Sequence, residues 1–199
     1  GGTTTDGHRV VVAVLETGGS NYNHTDLIGN HWVNAGEVDG NGIDDDGNGY
    51  IDDVHGWNSG TGNDNISAGG HGTAVSGMTG GMGNNGTGGV GVNWDVEIMQ
   101  IQLASLTEAA VIAAYSYAYD MRQLYNETNG EEGAFVVVTN ASWGINGLKN
   151  SKIEGKESNE WKLVDGIDLI VHIFHPEKRK FYELEKIWSE LIPKEKVMI

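Results

Sequence analysis

The distribution of glycine constrains what this chain can fold into more than any single motif. Of the 31 glycines among 199 residues, only Gly155 and Gly166 lie beyond position 150, and both prolines, Pro176 and Pro193, lie after it. Charge divides at the same place. Residues 151–199 hold nine Lys/Arg and ten Asp/Glu, whereas residues 1–150 hold three bases and 18 acids. The length allows one medium domain or two small ones, and compositions this different imply two unrelated segments, 1–150 and 151–199, with a join near 149–152. The net charge of −16 argues against direct nucleic-acid binding through phosphates. The absence of cysteine excludes disulfides, thiolate metal sites and a cysteine nucleophile. No apolar run approaches the roughly 18 residues of a membrane span and no secretory signal is visible. The chain opens on Gly1 rather than methionine, which points to a processed or trimmed start.

Three apolar runs, 10–15, 96–103 and 134–139, read as buried strands. Between the last two, 107–125 is rich in Ala, Leu and Tyr, and Thr107 with Glu108 supplies a helix start signal. Strand, helix, strand at this spacing predicts an α/β fold: a parallel sheet with crossover helices. In such sheets functional groups gather at the carboxyl ends of the strands. Glu16 ends the first run. A second signal is "GGHGTAVSGMTGG", residues 69–81, in which His71 opens a short helix over 73–78. The plainer alternative for His71 is a surface histidine in a glycine loop.

The segments "VAVLETG", "HTDL", "HGTAVSG", "GNNGTGGVGV" and "NASWG" occur in the order and spacing of subtilisin-like serine proteases. The resemblance runs from about residue 6 to 147. It places Glu16 where that family has its triad aspartate and His71 where it has its general base. Ser142, Trp143 and Gly144 match the strand that pairs with substrate backbone. The resemblance ends before the family's nucleophilic serine and oxyanion asparagine, so it implies a protease scaffold without hydrolytic activity. Glutamate carries the right charge on one methylene too many, and an error of about 1 Å costs on the order of 100-fold in rate. Thr25 and Ala35 stand where the family usually has proline, which leaves more loop entropy in the unfolded chain.

Calcium is the cofactor this segment implies. Residues 37–53 carry seven acids and no base, which repel one another unless a cation is present. Asp44, Asp46 and Asn48 with Gly49 fit the opening of a D-x-D-x-N-G loop, and Asp52 falls at its ninth position. The twelfth position is His55 rather than glutamate, which excludes a standard EF-hand; a solvated acidic loop is the alternative. A second site follows from the resemblance alone: Asp26 and Asn85 match side-chain ligands of the family's calcium site, and Gly83, Thr87 and Gly89 match its carbonyl ligands.

The last fifty residues are organised differently. Two apolar runs, 161–164 and 169–174, flank "DGID" and predict a β-hairpin. Pro176 and Glu177 then open an amphipathic helix with Phe181, Leu184, Ile187, Trp188 and Leu191 at helical spacing. His172 and His175 make at most half of a metal site. "IEG", the tryptophan strand and "VHIFHPEKRKFYELEKIW", within 152–191, resemble the end of the bacterial ribosomal silencing factor (Iojap) family. That family binds a large-subunit ribosomal protein and is not catalytic, and only the last third or so of its domain is represented.

Three readings compete. The first is an inactive subtilisin-like scaffold that binds calcium and a peptide strand. The second is a fragment that binds the large ribosomal subunit. The third is a chimeric chain with no selected function. The first resemblance implies secretion and the second the cytoplasm; neither reading needs a membrane.

Overall fold

A computed structural model describes residues 2–144, the three strands 152–154, 161–165 and 170–174, and residue 157. The chain divides into two compact units, Gly1–Gly144 and Ile145–Ile199, a few residues before the point where composition changes.

The first unit is an α/β layer structure. Its elements run β1 (Val11–Glu16), β2 (Gly56–Asn58), α1 (Gly70–Gly80), β3 (Glu97–Gln102), α2 (Glu108–Glu127) and β4 (Val136–Ala141). The sheet order is β2-β3-β1-β4 and every pairing is parallel. Six consecutive buried residues make β1 the central strand, as expected where helices cover both faces of a parallel sheet. The two-residue period of the strand sorts its side chains. Val11, Ala13 and Leu15 join Met99, Ile101 and Tyr117 in one cluster on the α2 face. Val12 and Val14 join Val75 and Ile98 in the other, on the α1 face.

Both helices follow from local sequence. Thr107 caps α2, its hydroxyl accepting the Ala110 N–H, and Ala114, Tyr117, Ala118 and Met121 form the buried stripe at i, i+3, i+4, i+7. Helix α1 is longer at both ends than the 73–78 expected from sequence. Two of its glycines explain how it lies so close. A Cβ on Gly72 would sit 2.1 Å from the Gly19 carbonyl oxygen, and one on Gly80 would sit 2.7 Å from Ile98. Strand β2 escapes sequence reading because three residues opening on glycine carry no alternation. Gly56 adopts φ +107°, and a side chain there would strike the Gln100 carbonyl.

In the second unit β5 (Lys152–Glu154), β6 (Trp161–Asp165) and β7 (Ile170–Phe174) form an antiparallel sheet in sequence order. The expected hairpin is present, with Trp161 opposite Phe174 and Asp165 opposite Ile170. The helix expected from Pro176 onward lies outside the described residues, as does His175. Among the described residues, no helix is long and apolar enough to cross a membrane.

Candidate functional site

Glu16 and His71 come together. Glu16 ends β1 at the carboxyl edge of the sheet and is 4% exposed. His71 lies in the first turn of α1, and its Nδ1 is 3.0 Å from Glu16 Oε2. A Cβ on Gly72 would lie 3.1 Å from Glu16 Cγ, so the bare backbone there makes room for the longer glutamate side chain. The second carboxylate oxygen, Oε1, is buried without a hydrogen-bond partner. A carboxylate bonded to Nδ1 favours the tautomer with its proton there, which leaves a lone pair on Nε2. That is the arrangement of a general base. The imidazole is largely exposed, and among the described residues Glu16 is its only side-chain hydrogen-bond partner. Among the described residues no hydroxyl forms a hydrogen bond with His71 Nε2.

The segment Ser142 to Gly144 follows β4 at the same edge of the sheet. Trp143 Nε1 donates to the Leu15 carbonyl at 2.8 Å, next to Glu16 in the chain. Ser142 is exposed and its Oγ accepts from Asn140 Nδ2 at 3.0 Å.

The acidic loop is arranged differently from the spacing argument. Asp44 and Asp52 turn their carboxylates onto backbone N–H groups, Asp44 onto Asn48 and Gly49, Asp52 onto Asn41 and Gly42. These bonds fold the loop. The carboxylates that converge are Glu37, Asp46 and Asp53, with one oxygen of each within 4.8 Å of the others. Asn34 Nδ2 bridges Asp46 and Asp53 at 2.9 and 2.6 Å, and Asn48 Nδ2 reaches both at 3.1 and 3.2 Å. Asp53 is fully buried and also accepts from Tyr117 OH at 2.8 Å. Burial pushes its carboxyl up to about 6; the Tyr117, Asn34 and Asn48 hydrogen bonds oppose that shift and neighbouring Asp46 adds to it. Three hard oxygen donors on an otherwise anionic loop fit a calcium ion in chemical type. Sequence reasoning missed Glu37 and Asp53 as a pair because only the folded loop brings positions 16 residues apart together. The legible signal was the excess of acid over base.

At the second calcium candidate, Asp26 Oδ1 accepts from Asn85 Nδ2 at 2.9 Å and Oδ2 from the Gly89 N–H at 3.2 Å. Asn85 Oδ1 accepts the Thr87 N–H at 3.1 Å. A Cβ on Gly88, at φ +56°, would overlap the Asp26 carboxylate. The loop therefore wraps Asp26 closely. Calcium there requires the Asn85 amide to rotate so that its oxygen faces the ion. Gly83 packs against the Trp94 ring, where a side chain would collide.

Comparison with known proteins bears on the other end of the chain. Residues 137–198 match the family described as ribosomal silencing factor during starvation. The ribosomal silencing factor of Bacillus subtilis (strain 168) is 44% identical over 45 residues, 23% of this chain and 38% of that protein. That of Zymomonas mobilis is 53% identical over 39 residues, 20% of this chain and 29% of that protein. Mouse mitochondrial assembly of ribosomal large subunit protein 1 is 47% identical over 38 residues, 19% of this chain and 17% of that protein. The chain spans no more than 38% of the length of these relatives. The family match begins inside β4, so it does not bear on the Glu16–His71 pair or the acidic loop.

Proposed function

We propose that the C-terminal part of this chain is a ribosome-directed module, acting on the large subunit as a fragment of a ribosomal silencing factor. The observation that carries this reading is the family match over residues 137–198. The charge balance agrees with it. Residues 151–199 are nearly neutral and bear nine of the 12 bases, so this part can approach an anionic assembly that the acidic first unit would avoid. Such a module works by occupancy rather than chemistry, and it would act in the cytoplasm. The test is co-sedimentation of the full chain with purified large ribosomal subunits at low and moderate salt. Co-pelleting with large but not small subunits is the expected result. Absence of co-pelleting at micromolar protein ends the reading.

A second reading has its own support in the 3.0 Å contact between Glu16 and His71 and the convergence of Glu37, Asp46 and Asp53. In it the first unit is a subtilisin-like scaffold that binds calcium and an extended peptide through Ser142 to Gly144. His71 would hold a proton acceptor at Nε2; among the described residues no hydroxyl bonds to it, and in this reading the scaffold binds without cleaving. A serine-directed fluorophosphonate probe decides the catalytic part: no labelling is expected, and specific labelling would overturn it.

A further inference from the structure

Neither His31 nor His55 belongs to the Glu16–His71 pair or to the acidic cluster, yet the two rings bring metal-ligating nitrogens into contact. His31 follows the loop Asn23–Asn30 and bridges to Ile98 near the start of β3. His55 directly precedes β2. Both therefore lie along the same strand, β3, where Gly56 pairs with Gln100, although 24 residues separate them. His31 Nε2 lies 3.2 Å from His55 Nδ1. Tyr22 stacks on both rings, with centroids at 4.7 Å from His31 and 4.5 Å from His55 and interplanar angles of 16° and 23°. One aromatic face thus holds both imidazoles in place.

The 3.2 Å separation has a second meaning besides a hydrogen bond. Two nitrogens on a tetrahedral zinc ion, each about 2.0–2.1 Å from the metal, lie about 3.3 Å apart. The rings already stand at that spacing. The surroundings supply what an ion needs next. The Asp64 carboxylate is anchored beside His55 by accepting its backbone N–H at 3.2 Å, and Asp64 and Asp39 both act electrostatically on Tyr22. His31 Nδ1 is buried and the Ile98 backbone lies beside the ring. No lysine or arginine forms an ion pair there among the described residues.

We propose that His31 and His55 bind a divalent ion of the zinc class (zinc, cobalt, nickel or copper), through His31 Nε2 and His55 Nδ1. Asp64 supplies the neighbouring negative charge and solvent completes the coordination. Imidazole selects this class over calcium, which takes oxygen donors. On binding, the proton shared between the two nitrogens leaves the contact. Its ring becomes the other neutral tautomer, protonated at the outer nitrogen, Nδ1 of His31 or Nε2 of His55, and no net proton is released. The ion would tie the segment before β2 to the segment around the His31–Ile98 bridge, beside the Asn34 N–H to Val54 carbonyl bond that already links them.

The test uses the full chain freed of metal with a chelator and then titrated with zinc by calorimetry and with cobalt by visible absorption, both in millimolar calcium to saturate carboxylate sites. The expected result is one cobalt site with nitrogen-ligand bands, displaced by zinc. His31→Gln and His55→Gln should each weaken it by at least about tenfold, while His71→Gln leaves it unchanged. Circular dichroism melts check that each variant is folded; should His31→Gln unfold, the half-buried His55→Gln decides. Zinc affinity unchanged in His55→Gln, or lost in His71→Gln instead, overturns the proposal, as does the absence of any site that zinc saturates.

Discussion

Asp53 offers a direct test of how the buried acidic cluster behaves without a cation. Its carboxyl is raised from 3.8 to about 6, chiefly by burial. A raised acid binds its proton more tightly folded than unfolded, so this group stabilises the fold as pH falls from about 6 toward 3.8 and withdraws that stability as pH rises. Between pH 7 and pH 5 the gain is about 1 kcal/mol, and the full shift corresponds to about 3 kcal/mol. His31 acts in the opposite sense. Burial and His55 lower it from 6.5 to about 4, so its contribution is complete above 6.5 and is lost on acidification, about 2 kcal/mol of it by pH 5. The parent chain reads the sum of such contributions, with Asp64 and Glu97 raised by burial in the same sense as Asp53. Asp53→Asn isolates the Asp53 share, because an amide of the same shape has nothing to titrate. Urea unfolding in chelator at pH 7 and pH 5 should show the variant losing about 1 kcal/mol more than the parent on acidification. Parallel losses in the two proteins would mean that Asp53 is not held protonated by burial, and the account of the cluster would be wrong.

Other expectations follow from the same geometry. Calcium at 100 times its dissociation constant should raise stability by about 2.7 kcal/mol in a thermal melt, and Asp46→Asn should remove the effect; a calcium-blind transition in the parent would count against the cluster as a site. Tyr117→Phe deletes the hydroxyl that donates to buried Asp53, and should cost about 1–3 kcal/mol by urea denaturation. Gly72→Ala places a methyl 2.1 Å from the Gly19 carbonyl oxygen, and should lower stability by about 1–3 kcal/mol or more. An alanine variant as stable as the parent would show that α1 does not lie so close to the β1 loop.

Legibility differed between fold and site for physical reasons. Apolar runs with β-branched residues are local signals, and β1, β3, β4, α2 and the β6–β7 hairpin follow them closely. Strand β2 has no such signal; it exists because Gly56 can approach Gln100. The match to a ribosomal silencing factor also rests on local sequence, since a contiguous run of residues carries it. The pairing of Glu16 with His71 was anticipated from motif order, but the room for a glutamate beside Gly72 was not.

By itself the sequence determined the division into an acidic, glycine-rich unit and a nearly neutral one, and the α/β class, because composition and periodicity act over neighbouring residues. Tertiary structure alone decided which charges and rings meet. Asp44 and Asp52 were spent on backbone N–H groups, Glu37, Asp46 and Asp53 were gathered instead, and His31 was stacked with His55 under Tyr22. Each of those choices depends on loops returning to one place in space, and no local pattern records where a loop returns.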